Sequence, residues 1–454
     1  MPSMLKDYSS FLGSFQSSDF SAKVELPGQY SGWARPVPER HIQIVAFEPT
    51  VLPFMSLRKP IRIGIIGSDG KTHRFIIKAG EDLRQDQRIE QLFQICNDRL
   101  AHNPACKNKP GMKIRTYQVI PLSGGLGMIE FVPNTIPLKN FLHSVEGAEV
   151  SLGRATKSFV DGMAKLTNQN QPMAAFFSSW RIDEGKISAN YLSAVNQIDK
   201  YILKKALQNL SSSSETFFIL RNNFIRSFAV ICSMQWVLGI GDRHLSNYMI
   251  DKTTGRMVTI DFGYSFGVAT SFLPVPELVS LRLTPQIVGV MEPIGTGGIF
   301  RESLVQSLIS LRTNTEVLIS ALEIFVHEPT VDWLETAMKA AKCQKIGLEK
   351  SLENFPRERV DLALKKLKGG NPAVIMGEEL KNGFGAKRQL WEPQALRRTI
   401  SFIHADRVGG PGNRQAGRWG LEGLTAGEQV DCLIDQAKDN NLLGRMFYGW
   451  SPIS

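Results

Sequence analysis

Two carboxylates and an amide in the middle of the sequence are spaced for phosphoryl transfer. Asp242 and Asn247 stand five residues apart in Gly241-Asp242-Arg243-His244-Leu245-Ser246-Asn247, and Asp261 opens Asp261-Phe262-Gly263. That reaction asks a protein for three things: a group that orients the acceptor hydroxyl, oxygen ligands for magnesium, and a cation against the phosphates. Asp242 is the candidate orienting base and His244 a candidate stabiliser of transition-state charge. Asn247 and Asp261 are the candidate magnesium ligands, because hard cations take carboxylate and carbonyl oxygens. A positioned carboxylate and an imidazole titrating near neutrality could each accept the substrate proton, so residue types alone leave Asp242 or His244 open as the acceptor.

Protein kinases use the same spacing, with a catalytic-loop Asp, a metal-binding Asn and a D-F-G Asp in that order; here the first acid sits in D-R-H in place of H-R-D. The elements that must hold these residues are legible. Phe224 to Leu238 predicts a helix stopped by Gly239-Ile240-Gly241. Tyr248-Met249-Ile250 and Arg256 to Ile260 predict a hairpin, and pairing Ile250 with Met257 sets Asn247 opposite Ile260, so Asn247 and Asp261 emerge at one open end. The phosphate-side cation is read at Lys78, on a strand leading into a helix that starts with Glu81, Asp82 and Asp86. Asp86, well inside the helix, is the favoured ion-pair partner, while Glu81 and Asp82 suit N-terminal capping charges. A lysine near acids is ordinary surface by itself and gains a role only beside the other motif. Gly70-Lys71-Thr72 imitates the end of a phosphate-binding loop, but Ile65 occupies the place of its first glycine and a strand follows, so it reads as a hairpin turn.

Residues 1–40 mix Ser, Gly and Pro without a period and read as a lead-in, with the fold expected to start at the alternation His41-Ile42-Gln43-Ile44-Val45. Strands Arg62–Ile66, His73–Lys78, Arg115–Pro121 and Met128–Val132 predict a small β-rich lobe over 41–132. It includes an amphipathic helix Glu81–Leu100 whose stripe is Ile89, Leu92, Phe93, Cys96 and Leu100. Helices dominate 133–365, a Gly-rich basic insert is expected over 366–423, and 424–454 ends the chain with a short helix on Val430, Leu433, Ile434 and Ala437. The fold class is α+β, a bilobal kinase-like fold with a helical tail.

Composition narrows the function classes. Of 454 residues 43% are hydrophobic and 21% charged, with no apolar run long enough to span a bilayer, so neither a membrane partner nor export is expected. Five cysteines without a C-x-x-C pair suggest neither a zinc site nor a disulfide framework. The net charge of +10 is densest between Lys381 and Gly420, where Gly-interleaved Lys and Arg outnumber acids eight to two. That tract reads as a solvated basic loop, and no direct DNA binding is assigned to it.

With these residues in place, the sequence resembles the phosphatidylinositol 3-kinase-related protein kinases from about Leu26 onward. The most specific stretches are Lys78-Ala79-Gly80-Glu81-Asp82-Leu83-Arg84-Gln85-Asp86-Gln87-Arg88, Leu238 to Asn247, Ile260 to Phe266 and Phe272 to Leu278. The resemblance implies an ATP-dependent protein kinase, using Mg2+ with Mn2+ as an alternative, that phosphorylates Ser or Thr followed by Gln. Asn371 to Ile375 and Leu442 to Arg445 point to the branch that acts in double-strand break repair by non-homologous end joining. For that branch the resemblance implies a nuclear location, with the cytosol as alternative, and a Ku–DNA-end partner reached through helical-repeat and FAT regions outside these 454 residues. It further implies a phosphate contact at Ser56, a nucleotide hinge at Glu130, Phe131 and Val132 with Phe131 where relatives carry Trp, and pocket lining by Tyr117, Met249 and Ile260. The tail resembles the family's FATC segment but lacks the terminal Trp-Met of the branch it most resembles. An inositol-lipid kinase and a silent kinase-fold scaffold are the alternatives. Against lipid, Asp261 to Glu277 contains no Lys or Arg to offset an anionic headgroup.

Overall fold

The computed structural model describes residues 2–383 and 423–454, apart from 20, 22, 31–34, 57, 314, 328–337 and 339–347. The basic tract expected around 381–420 lies, from 384 onward, outside the described residues. Two compact units divide the chain: Met1–Leu92 with Thr116–Pro133, and Phe93–Arg115 with the chain from Asn134 onward.

In the first unit, β1 (Ser3–Met4), β3 (Thr50–Pro53), β4 (Ile61–Gly67), β5 (Thr72–Ala79), β7 (Leu126–Glu130) and β6 (Val119–Ser123) lie side by side in that order, and β2 (Ile44–Phe47) also pairs with β4. The β4–β5 hairpin closes over the expected Gly-rich turn, with Ile66 opposite Thr72. Strand alternation sends Ile63, Ile65, Phe75 and Met128 to one face, which Leu5, Phe15, Leu26 and Ile44 cover. Ordered structure therefore starts well before His41. Periodicity could not show this, because Leu5, Phe15 and Leu26 are single plugs in a polar stretch and follow neither a helix nor a strand repeat. On the opposite face the register aligns Arg62 with Ile76, Ile76 with Ile129 and Lys78 with Gly127. Lys78 and Ile129 thus share the face not used by the core.

In the second unit, the helix Ser214–Leu238 runs through the core with Phe224, Phe228 and Trp236 almost fully buried. Ser213 caps it by accepting from the Thr216 N–H at 3.2 Å. Gly239 ends it with φ +57°, and a side chain there would also sit 2.5 Å from the Gly267 nitrogen. Next to the helix lies a three-stranded sheet of β8 (Thr135–Pro137), β9 (Tyr248–Asp251) and β10 (Met257–Thr259), with β9 central. Tyr248 Oη donates to Gln235 Oε1 at 3.0 Å and the Met257 N–H to Ser227 Oγ at 3.0 Å, fixing the sheet on the helix.

Where an insert was expected after residue 366, the chain turns instead into the helix Pro372–Gly383, buried on Ile375, Met376 and Leu380. Asn371 Oδ1 accepts from the Ala373 N–H at 2.9 Å and Pro372 opens the helix, a start signal that glycine density obscured. The tail forms two helices rather than one, Ala426–Lys438 and Asn440–Arg445. The first starts at a Thr425–Glu428 capping box, and the second restarts where Asp439 accepts from the Leu442 N–H at 2.8 Å. No described helix is long and apolar enough to cross a membrane.

Candidate active site

Around Asp242 the chain is held by its own neighbours. Asp242 and Asp261 both adopt left-handed backbone, at φ +54° and +64°, a conformation uncommon for residues other than glycine and typical of functional turns. The Asp242 N–H donates to Glu277 Oε1 at 2.8 Å, and Asn247 Nδ2 donates to the Asp242 carbonyl at 2.8 Å. Arg243 joins the two motifs: Nε donates to the Gly241 carbonyl at 2.7 Å, Nη1 to the Ile260 carbonyl at 2.9 Å, and Nη2 to the Asp261 carbonyl. The hairpin register is the one read from sequence. Met257 faces Ile250, and the Ile260 N–H reaches the Asn247 carbonyl at 3.2 Å. Alternation therefore sets Asn247, Met249 and Ile260 on the sheet face opposite Tyr248 and Ile250. Phe262 packs edge-on against Phe93 with ring centroids 5.4 Å apart, leaving Asp261 exposed beside it.

Magnesium fits this donor set. It is usually held by one or two protein oxygens, with phosphate and water oxygens completing its octahedron. The Asn247 amide commits its donor end to the Asp242 carbonyl, which leaves Oδ1 as the acceptor.

His244 Nδ1 accepts from the Ser246 N–H at 3.2 Å, so the neutral ring carries its proton on Nε2, which stands 4.0 Å from Asp242 Oδ2. Burial depresses the His244 pKa, with the Asp242 carboxylate opposing that shift. Burial, reinforced by the charge of Asp242, pushes Glu277 up to about 8.

The first unit gathers the phosphate-side residues. Lys78 Nζ lies 3.0 Å from Glu81 Oε2, and Arg58 Nε lies 3.1 Å from Glu81 Oε1. Glu81 is thus drawn to two cations as well as standing before the helix Arg84–His102. Asp82 stands two residues before the helix and accepts from the Arg84 N–H at 3.1 Å. Asp86 is buried near Glu90, whose pKa burial raises strongly with Asp86 adding to the effect. Ser56 is exposed in the β3–β4 loop that also carries Arg58. Tyr117 is buried, its N–H 3.2 Å from Glu90 Oε2. At the other end of β7, the Glu130 N–H donates to the Gln118 carbonyl at 2.8 Å and the Phe131 N–H to the Arg74 carbonyl at 2.9 Å. The Glu130 N–H is therefore committed within the sheet. Val132 follows, half-buried. The Arg62 guanidinium lies 5.0 Å from the centre of the Phe131 ring.

Beside Asp242 and His244 in the second unit opens a cavity of about 350 Å³, lined also by Met173, Leu273, Pro274, Val275, Pro276, Glu277, Met446, Phe447 and Trp450. Among the described residues its lining contains no Lys or Arg. Phe272, just ahead of these residues, packs against Phe355 with centroids 6.3 Å apart. Sequence reasoning missed the parts played by Glu277, Arg243 and Arg282. The available signal for Arg282 was a lone arginine inside the apolar run Val279 to Leu283.

Comparison with known proteins places residues 72–335 in the family described as phosphatidylinositol 3- and 4-kinase, and residues 423–453 in the FATC domain. The chain is 38% identical over 465 residues to the DNA-dependent protein kinase catalytic subunit of Xenopus laevis, matching 99% of this chain and 11% of that protein. It is 35% identical to that of Dictyostelium discoideum over 98% of this chain and 11% of the relative. It thus spans about a tenth of the length of these relatives. A solved structure of the open conformation of CtTel1 shares its fold with a TM-score of 0.67 at 22% identity, covering 100% of this chain and 14% of that one.

Proposed function

We propose, from the premise that the chain belongs to the phosphatidylinositol 3- and 4-kinase family and carries an FATC domain, that it transfers the terminal phosphoryl group of ATP to Ser or Thr followed by Gln in proteins. The observation that carries this is Arg243: one buried guanidinium bonds the loop of Asp242 and Asn247 to the carbonyls of Ile260 and Asp261, so the base and both metal ligands move as one body. Asn247 and Asp261 would hold magnesium, which when bound neutralises charge on the phosphates. Lys78, oriented by Glu81, offers a further cation to the phosphates, and Ser56 a hydroxyl. In the first unit Asp86, Tyr117, Phe131 and Val132, and in the second unit Met249 and Ile260, are the further residues assigned to the nucleotide. Asp242 orients the acceptor hydroxyl and takes its proton. His244 donates from Nε2 in its neutral form, since its proton already faces that way and burial disfavours a second one.

The cavity beside Asp242 supports a peptide rather than a lipid acceptor. Its walls are Leu273, Pro274, Pro276, Met446 and Phe447, with no Lys or Arg among the described residues that line it to meet a phosphorylated headgroup. A neutral amide side chain after the acceptor suits such a pocket. A kinase of this branch would serve double-strand break repair in the nucleus and meet Ku-bound DNA ends through parts of the whole protein outside these residues. A peptide series testing the residue after Ser checks this: turnover should be highest for Gln, and equal turnover for Gln, Ala and Lys would remove the specificity reading.

A further inference from the structure

Three charged side chains lie buried behind the turn that follows Asp261-Phe262-Gly263, and the reaction proposed above uses none of them. Lys366 Nζ and Glu379 Oε1 are 3.3 Å apart, with side chains only 3% and 6% exposed. Arg359, also buried, donates from Nη1 to the Phe266 carbonyl at 3.3 Å. The backbone carbonyl of Glu379 accepts from Ser271 Oγ at 3.3 Å. Phe266 and Gly267 both have positive φ, +62° and +77°. A Cβ on Gly267 would sit 2.5 Å from Glu379 Oε1, so only a bare Cα lets the carboxylate come this close, and Arg359 Nη1 would lie 3.4 Å from the same point. The same turn is bonded to the start of the catalytic loop. The Phe266 N–H reaches the Leu238 carbonyl at 2.7 Å, the Gly267 N–H reaches Gly239 at 2.9 Å, and the Gly241 N–H reaches Tyr264 at 2.7 Å. Lys366 Nζ also lies 4.8 Å over the ring of Trp236, in the last turn of the helix that ends at Gly239.

Stability does not explain this cluster, because desolvating buried charges costs about what their attraction returns, and apolar side chains of similar volume often serve as well. A bulky residue such as Phe266 held in the left-handed region, by contrast, persists only where its surroundings over-determine it. We infer that Arg359, Lys366 and Glu379 form a clamp that holds the Phe266–Gly267 turn against the Leu238–Gly241 segment. Glu379 is thereby a positioning residue for Asp242 and Asp261, a role that rests on the phosphotransfer reading above.

Glu379→Gln keeps the side chain's shape and removes its charge. In that variant of the full chain, amide hydrogen exchange should rise roughly tenfold across 239–247 and 261–271 and stay unchanged in β4 and β5. Turnover on a Ser-Gln peptide should fall about ten- to a hundredfold, with the peptide KM within about twofold of wild type. Lys366→Met combined with Glu379→Gln also removes one of the two cations left uncompensated by the single change, so it should fold with a higher Tm than Glu379→Gln alone and keep both signatures. Wild-type exchange and turnover in both variants would overturn the clamp, as would exchange raised uniformly along the chain. A wild-type chain that transfers no phosphate, with exchange still raised locally in the variants, would sink the phosphotransfer reading and leave the clamp standing.

Discussion

Arg282 ties Arg243 to Trp450: its Nη1 donates to the Arg243 carbonyl at 3.1 Å and to the Trp450 carbonyl at 2.7 Å, while Nη2 reaches Ser451 at 2.5 Å and the Ser454 carbonyl. The Trp450 ring lies 4.3 Å from the guanidinium. A single buried side chain therefore fastens the FATC tail to the loop of Asp242, and Arg243 passes the connection on to Asp261.

Arg282→Met should accordingly loosen the tail and the loop together. Loss of these bonds leaves buried carbonyls unpaired, at a cost of about 2–5 kcal/mol in stability. Turnover should fall further than the loss of folded protein explains. Thermal unfolding and turnover per folded molecule check this, and wild-type turnover per folded molecule would show the link to be structural only.

Glu277 gives a stability difference that depends on pH. Its carboxyl is pushed from 4.5 to about 8 in the folded chain, so between those values the folded state keeps a proton that the unfolded state has released. The stability this group contributes is present below pH 4.5 and is lost as pH rises toward 8. Glu277→Gln does not titrate and can still accept from the Asp242 N–H. Its Tm minus that of wild type should therefore increase from pH 5 to pH 8, and a difference independent of pH would show that Glu277 is not held neutral.

On the nucleotide side, Phe131→Ala should weaken ATP binding by ~1 kcal/mol or more through loss of an aromatic face, and Phe131→Trp should bind at least as tightly as wild type. Lys78→Met should lower turnover by orders of magnitude. Calorimetry with a non-hydrolysable analogue separates binding from chemistry. Unchanged affinity in Phe131→Ala would remove that residue from the site.

Much of this was legible in the sequence where the signal is local. The hairpin register followed from one pairing of Ile250 with Met257, and it carried Asn247 and Asp261 to the same end without any long-range information. The helix stripe Ile89, Leu92, Phe93, Cys96 and Leu100 is buried throughout, as the helical period requires. Long-range pairings were not legible. Glu277 bonds a residue 35 positions away, Arg282 reaches across 168 positions, and Arg359 across 93. No period or spacing encodes such contacts, and buried charges in apolar runs are the only trace they leave. Leu5, Phe15 and Leu26 escaped for a related reason, since each fills a sheet face formed by later strands.

The most direct measurement of the central claim offers the purified chain labelled ATP, magnesium, a Ser-Gln peptide and phosphoinositide vesicles side by side, with Asp261→Ala as control. Label should enter the peptide, vanish in Asp261→Ala at an unchanged Tm, and stay at background in the vesicles. Peptide labelling undiminished in Asp261→Ala, or vesicle labelling that exceeds the peptide's and disappears in Asp242→Ala, would contradict the account.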